Sequence, residues 1–146
     1  EIPRQLITVN KRHHTHTLIE ASGAFGMHLI DETQIELVWR FGLQSGRDID
    51  KLADLSSHTA ETGSPLLSEA LAWFDCRVEA CMDSGDRSIY LAAVVDGRLQ
   101  RTDVPLTAQR FFQIAPPDKR KILDEQYDHD SRLDALAIQE WRERPM

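Results

Sequence analysis

From Leu71 to Met82 the chain alternates: Ala72, Phe74, Cys76, Val78, Ala80 and Met82 fall on one side, with Asp75, Arg77 and Glu79 on the other. A period of two over so long a stretch defines a half-buried β-strand, because a helix would repeat its apolar positions every three or four residues. Ser84-Gly85-Asp86 is turn chemistry, and the segment Ser88 to Val95 is apolar on both sides, as a strand inside a sheet requires. A long antiparallel hairpin is therefore the centre of whatever this chain builds. Asp96-Gly97 reads as a further tight turn, leading into a strand over Arg98 to Arg101.

The flanking segments add strands and short helices. Leu6, Ile7, Thr8 and Val9 favour a strand over residues 2–9, with Pro3 tolerated near its start. Asn10 to Thr17 is a polar turn carrying Lys11, Arg12, His13, His14 and His16, after which Leu18 and Ile19 begin a short helix that Gly23 stops. Phe25 to Ile30 reads as a strand. Thr33 with Glu36 fits a capping box for a helix from Gln34 to Leu43. Gln44 to Pro65 is loop-like, with one helical turn expected at Asp48 to Leu52. Pro116-Pro117-Asp118 opens a helix, and Asp130 or Ser131 caps a second one carrying Leu133, Leu136, Ala137 and Trp141. The expected fold is mainly β, an antiparallel barrel-like core with helices, divided into residues 1–115 and a helical extension over 116–146 that packs on the barrel or across a dimer.

Composition narrows the function classes. The chain has 146 residues, 41% of them hydrophobic, enough to bury roughly two-thirds of its unfolded surface without metals or disulfides. No apolar run approaches the ~20 residues of a membrane span. With 17 Lys plus Arg against 24 Asp plus Glu and no basic stripe, nucleic acid is not an expected partner. Cys76 and Cys81 would sit about 16 Å apart on opposite faces of one strand, so free thiols and a reducing cytoplasm are expected. The chain starts at Glu1 with no signal-like leader, which reads as a start inside a longer gene product. The neighbouring histidines lack a nearby carboxylate or cysteine to complete a metal site, and Ser45 lacks the G-x-S-x-G setting of a hydrolase nucleophile. His28 reads as a hydrogen-bonded core or interface residue, and Trp73, Phe74 and Tyr90 as core or dimer packing.

The cations invite an anion. Asn10, Lys11, Arg12 and Thr15 offer an amide, two charges and a hydroxyl just ahead of a helix start, where free N–H groups favour negative charge. Arg47 and Lys51 are four apart, so on a helical turn both reach one anion, and Ser45-Gly46 lets the backbone approach closely. These two segments are expected to converge on one phosphate. The plain alternative is that all four cations are solvated loop charges.

Three segments in order carry a family resemblance. They are Val9-Asn10-Lys11-Arg12 with Thr15-His16-Thr17-Leu18-Ile19, Ser22-Gly23 and Phe25; then Phe41-Gly42-Leu43-Gln44-Ser45-Gly46-Arg47-Asp48-Ile49-Asp50-Lys51; then Ser64-Pro65-Leu66-Leu67 to Ala72-Trp73-Phe74-Asp75-Cys76-Arg77-Val78, followed by Gly85-Asp86. Together they resemble the flavin reductase-like, FMN-binding split β-barrel family. The resemblance implies a cytoplasmic homodimeric flavoprotein in which FMN carries the redox chemistry, with NAD(P)H as cosubstrate and free flavin, oxygen or a partner oxygenase as acceptor. It assigns the flavin phosphate to Asn10, Lys11, Arg12, Thr15, Ser45, Gly46, Arg47 and Lys51, names no catalytic acid or base, and places Asp86 and Arg87 against nicotinamide or substrate. Two departures stand out. The family's first strands lie upstream of this start, and Arg87 occupies a position where many members carry histidine. They leave as alternatives a non-enzymatic split-barrel dimerisation domain and a pyridoxamine phosphate oxidase-like binder.

Overall fold

A computed structural model describes residues 2–145. In chain order the first strand β1 spans Arg4–Asn10, β2 Ala24–Leu29, β3 Ser57–His58, β4 Leu66–Leu67, β5 Ala72–Asp83 and β6 Arg87–Leu99. β5 and β6 form the long hairpin; β1 adds to β6 and β2 to β5, all antiparallel, in the order β1-β6-β5-β2. β3 and β4 form a separate small ladder inside the long loop.

The β5–β6 register shifts between Asp75 and Cys76 and again between Val78 and Ala80. Extra residues of this kind bend a strand and increase its twist, and the sheet curls into a half-barrel. They also break the alternation expected from the sequence. Trp73, Asp75 and Cys76 are all buried, whereas Ala80 and Met82 are exposed. Asp75, expected on the solvent side, has no exposed surface; its carboxylate accepts hydrogen bonds from the Thr62 N–H at 2.8 Å and from the Thr62 hydroxyl. Asp96-Gly97 makes no turn. β6 runs through it, pairing Gly97 with Phe74, and a Cβ at Gly97 would lie 3.3 Å from both the Phe74 ring and the Trp73 carbonyl. That glycine serves close strand approach.

The helices differ from expectation at their ends. α1 covers His14–Ser22, starting four residues before Leu18. The Asn10 side-chain oxygen accepts the Arg12 N–H at 3.0 Å and the Asn10 carbonyl accepts the His13 N–H at 3.0 Å, so the turn is complete by residue 13. α1 is pinned to β6 by His16 Nε2 at 2.9 Å from Ser88 Oγ and by the Tyr90 hydroxyl, which donates to Glu20 at 2.5 Å. Burial and the Glu20 carboxylate push the Tyr90 phenol up to about 12, keeping it a donor. α2 covers Ile35–Gly42 behind a 3₁₀ turn at Glu32–Gln34, and its capping box uses Asp31 with Gln34 in place of Thr33 with Glu36. Asp31 also pairs with Arg101, which ties the chain beyond β6 to this cap. Trp39 of α2 is buried against Phe111 of α3 (Ala108–Ile114), ring centroids 5.0 Å apart.

Residues 48–52 are turns and not helix. The Asp50 carboxylate accepts the Leu52 N–H at 2.9 Å, a local bond that competes with a helical ladder. The C-terminal region, expected as two helices, is one: α4 runs unbroken from Pro117 to Arg142. Neither expected cap marks a break: Asp130 turns its carboxylate to Arg12, and Ser131 lies inside the continuous helix. Leu133 and Leu136 are exposed, and α4 instead lies across the β5–β6 turn. There Gly85 has φ 97°. A Cβ on it would meet the Ile138 Cα and the Trp141 Cβ at 3.1 Å. Among the described residues no helix is long and apolar enough to cross a membrane.

Candidate functional site

A cleft of about 1290 Å³ opens between the start of α1, the 41–52 loop and α4. Arg12, Thr15, Ser45, Gly46, Arg47 and Lys51 all line it, although the two segments are far apart in sequence. Arg47 Nη1 donates to the Arg12 carbonyl at 3.1 Å, fixing the loop against the turn. The Arg47 N–H donates to Ser45 Oγ at 3.2 Å, and a Cβ at Gly46 would come within 3.2 Å of the His14 ring, so a larger residue would push the loop off α1.

The electrostatics of this end are uneven. Lys51 Nζ donates to the Phe41 carbonyl at 2.7 Å and lies 5.8 Å from the Phe41 ring centroid. Burial lowers its pKa from the ordinary lysine value, since no opposite charge offsets the lost hydration. Arg47 and Lys51 form no ion pair with any described carboxylate and bond only carbonyl oxygens. The N-cap of α1, His13, makes no side-chain cap hydrogen bond, while the His16 N–H donates to the His13 carbonyl at 3.0 Å. His14 Nδ1 is buried with no hydrogen-bond partner among the described residues. Asp48, Asp50, Glu125 and Asp130 also line the cleft, yet among the described residues none of them pairs with Arg47 or Lys51, which leaves those two cations for an anionic ligand.

The remaining residues singled out from the sequence lie beside the cleft and do not line it. Lys11 Nζ is 2.5 Å from Asp83. Asn10 is buried, and its side-chain N–H donates to Asp134 at 2.9 Å. Arg87 Nε donates to Asp86 at 2.8 Å, and its Nη2 is 3.5 Å from Asp134. Asp134 thus gathers Asn10, Arg12 and Arg87, a role that no local pattern announces because its partners come from residues more than a hundred positions upstream and from β6. The α4 side of the cleft, including Ile122, Gln126, His129 and Asp130, was equally invisible: nothing in residues 116–146 says which face of the sheet the helix crosses. Both cysteines are free. Cys76 is buried, its thiol raised to about 11 chiefly by burial, and Cys81 is exposed. Among the described residues no cluster of His, Cys, Asp or Glu is placed to hold a metal ion.

A curled antiparallel half-barrel flanked by helices is the architecture of FMN-binding split barrels. The chain belongs to the flavin reductase like domain family, whose model matches residues 1–115. It is 29% identical over 103 residues to the ferric-chelate reductase (NAD(P)H) of Archaeoglobus fulgidus, a match covering 69% of this chain and 61% of that protein. It is 34% identical over 94 residues to the flavin-dependent monooxygenase reductase subunit HsaB of Mycobacterium tuberculosis, covering 64% of this chain and 49% of that one. The crystal structure of a nitrilotriacetate monooxygenase component B homologue from Mycobacterium thermoresistibile superposes with a TM-score of 0.63 at 31% identity, over 71% of this chain and 57% of the other. The chain thus spans about half to three-fifths of the length of these relatives.

Proposed function

We propose that this chain is the flavin-binding part of an NAD(P)H-dependent flavin reductase-like oxidoreductase, and that its cleft takes FMN with the phosphate at the Arg47–Lys51 end. The observation that carries this is the pair of cations left without a carboxylate, one of them partly desolvated, beside the uncapped start of α1. Arg47 and Lys51 neutralise the dianion, and the Thr15 and Ser45 hydroxyls and the first N–H groups of α1 complete its hydrogen bonds. Leu18, Phe41 and Ile49 supply apolar wall for a flat ring. When bound, FMN supplies the redox chemistry, taking hydride from a nicotinamide and passing electrons onward. The protein holds the headgroup, limits water at the ring and needs no side chain as acid or base.

The names of the relatives support NAD(P)H as donor and, for the mycobacterial protein, a monooxygenase as the receiving partner. A homodimer is part of the same proposal. β1 is a sheet edge with Leu6 64% exposed, and Met82, across β6 from Thr8, is exposed as well, a surface that a second copy would cover. A cytoplasmic location follows from the need for NAD(P)H.

The deciding experiment titrates purified protein with FMN and riboflavin, following flavin fluorescence, then adds NADH or NADPH. Uptake of FMN in preference to riboflavin, with nicotinamide oxidation that depends on added flavin, is the expected result. Failure to take up either flavin would remove the cleft assignment; binding without nicotinamide oxidation would remove the reductase.

A further inference from the structure

The family domain ends at residue 115 and α4 begins at Pro117, so the helix is an addition to that domain. It forms one wall of the cleft, and it brings its own anions. Arg12 Nη2 lies 3.1 Å from the Asp130 carboxylate and 2.8 Å from that of Asp134, and it donates to the Asp130 carbonyl at 3.4 Å. Arg12, Arg47 and Lys51 are the Arg and Lys side chains that line the cleft. Among the described residues, Arg12 alone of these has its charge met by carboxylates, which lie on an element outside the family match.

The anchors of α4 are unequal along its length. Asp134 is only 12% exposed at its side chain and also holds Asn10 and Arg87, while Asp130, at the cleft rim, is 39% exposed. Farther on, Ile138 and Trp141 sit against Gly85, and Arg144 lies 3.6 Å from Asp83. The C-terminal half of the helix is therefore fastened by packing and by a buried hub. Its N-terminal half meets the site through residues of the cleft wall and the exposed Asp130 pair. An exposed carboxylate returns to water at little cost, and a dianion on the neighbouring Arg47 would repel it.

We infer that α4 is an internal counter-ion strap: Asp130 stands on Arg12, whose carbonyl Arg47 bonds, beside the Arg47–Lys51 end of the cleft, and a dianionic headgroup bound at that end repels it and frees the helix over residues 118–130 while 134–142 stays docked. This rests on the cleft taking a phosphate, as proposed above. The strap sets affinity for the phosphorylated flavin by differential stabilisation of the docked and released helix. Riboflavin, lacking the phosphate, has no means of displacing it.

The test uses the whole chain. Asp130→Asn is expected to tighten FMN by about fivefold and to change riboflavin less than about twofold, with Asp130→Glu returning FMN affinity to the wild-type value. In the wild type, saturating FMN is expected to speed amide hydrogen exchange over residues 118–130 and to leave 134–142 unchanged. Weaker or unaltered FMN binding in Asp130→Asn, or slower exchange over 118–130 with FMN, would overturn the strap. If the wild type takes up no FMN, the flavin assignment fails separately, and inorganic phosphate becomes the probe: faster exchange over 118–130 sustains the strap, and unchanged exchange removes it.

Discussion

Lys51 shows how much a single side chain reveals once its neighbours are known. Its ammonium is partly buried on a carbonyl and an aromatic ring with no carboxylate beside it, a position that costs hydration and gains little unless an anion arrives. Lys51→Ala and Arg47→Ala are each expected to weaken FMN by about tenfold and riboflavin by less than about twofold, read by fluorescence titration; equal losses for both flavins would place the phosphate elsewhere. His28 gives a second prediction. Its Nε2 accepts the Leu67 N–H at 2.9 Å, so the ring must be unprotonated there, and burial, helped by His58, lowers its pKa from 6.5. The unfolded chain then binds the proton more readily than the folded one. The stabilisation is complete above about pH 6.5 and is lost as pH falls through the lowered folded value. Thermal melting from pH 7.5 to 5 should show this loss, and His28→Gln, which keeps an acceptor without titrating, should flatten it. That His28 is hydrogen-bonded and partly buried was legible from its apolar strand. Which group it bonds was not, because Leu67 lies on a ladder that only the folded loop forms.

At the scale of elements, the sheet is bent by residues that a period of two conceals. The strands were readable from β-favouring side chains, yet the bulges at Asp75 and Val78 depend on how β5 meets β6, and they decide that Asp75 is interior and Met82 exterior. Gly97 was mistaken for a turn residue because Asp-Gly has that local preference, which pairing across the sheet overrides. Gly85 carries both a left-handed backbone and a helix on its surface. Gly85→Ala is expected to cost about 1–3 kcal/mol and to loosen the C-terminal half of α4. Denaturant melts would measure the first, hydrogen exchange over 134–142 the second. An unchanged exchange pattern would show that α4 holds without this contact.

At the scale of the whole molecule, one curled sheet brings the 10–15 turn and the 45–51 loop to a shared cleft and leaves the β1 edge open. Sedimentation should find a dimer, and Leu6→Lys should shift it toward monomer, since a charge on that edge opposes a second sheet or barrel. A monomeric wild type would remove the dimer from the proposal. The four strands of the main sheet, the helices after β1 and β2, the family and the cationic character of both loops were legible in the sequence alone, because they rest on side-chain periodicity, turn chemistry and motif spacing, all of which are local. The partners of those cations were decided only by the tertiary structure. Lys11 goes to Asp83 and Arg12 to Asp130 and Asp134, while Arg47 and Lys51 meet only carbonyl oxygens. The reason is that pairing of charges is settled by distance in space, and the long α4 returns to the site from the far end of the chain.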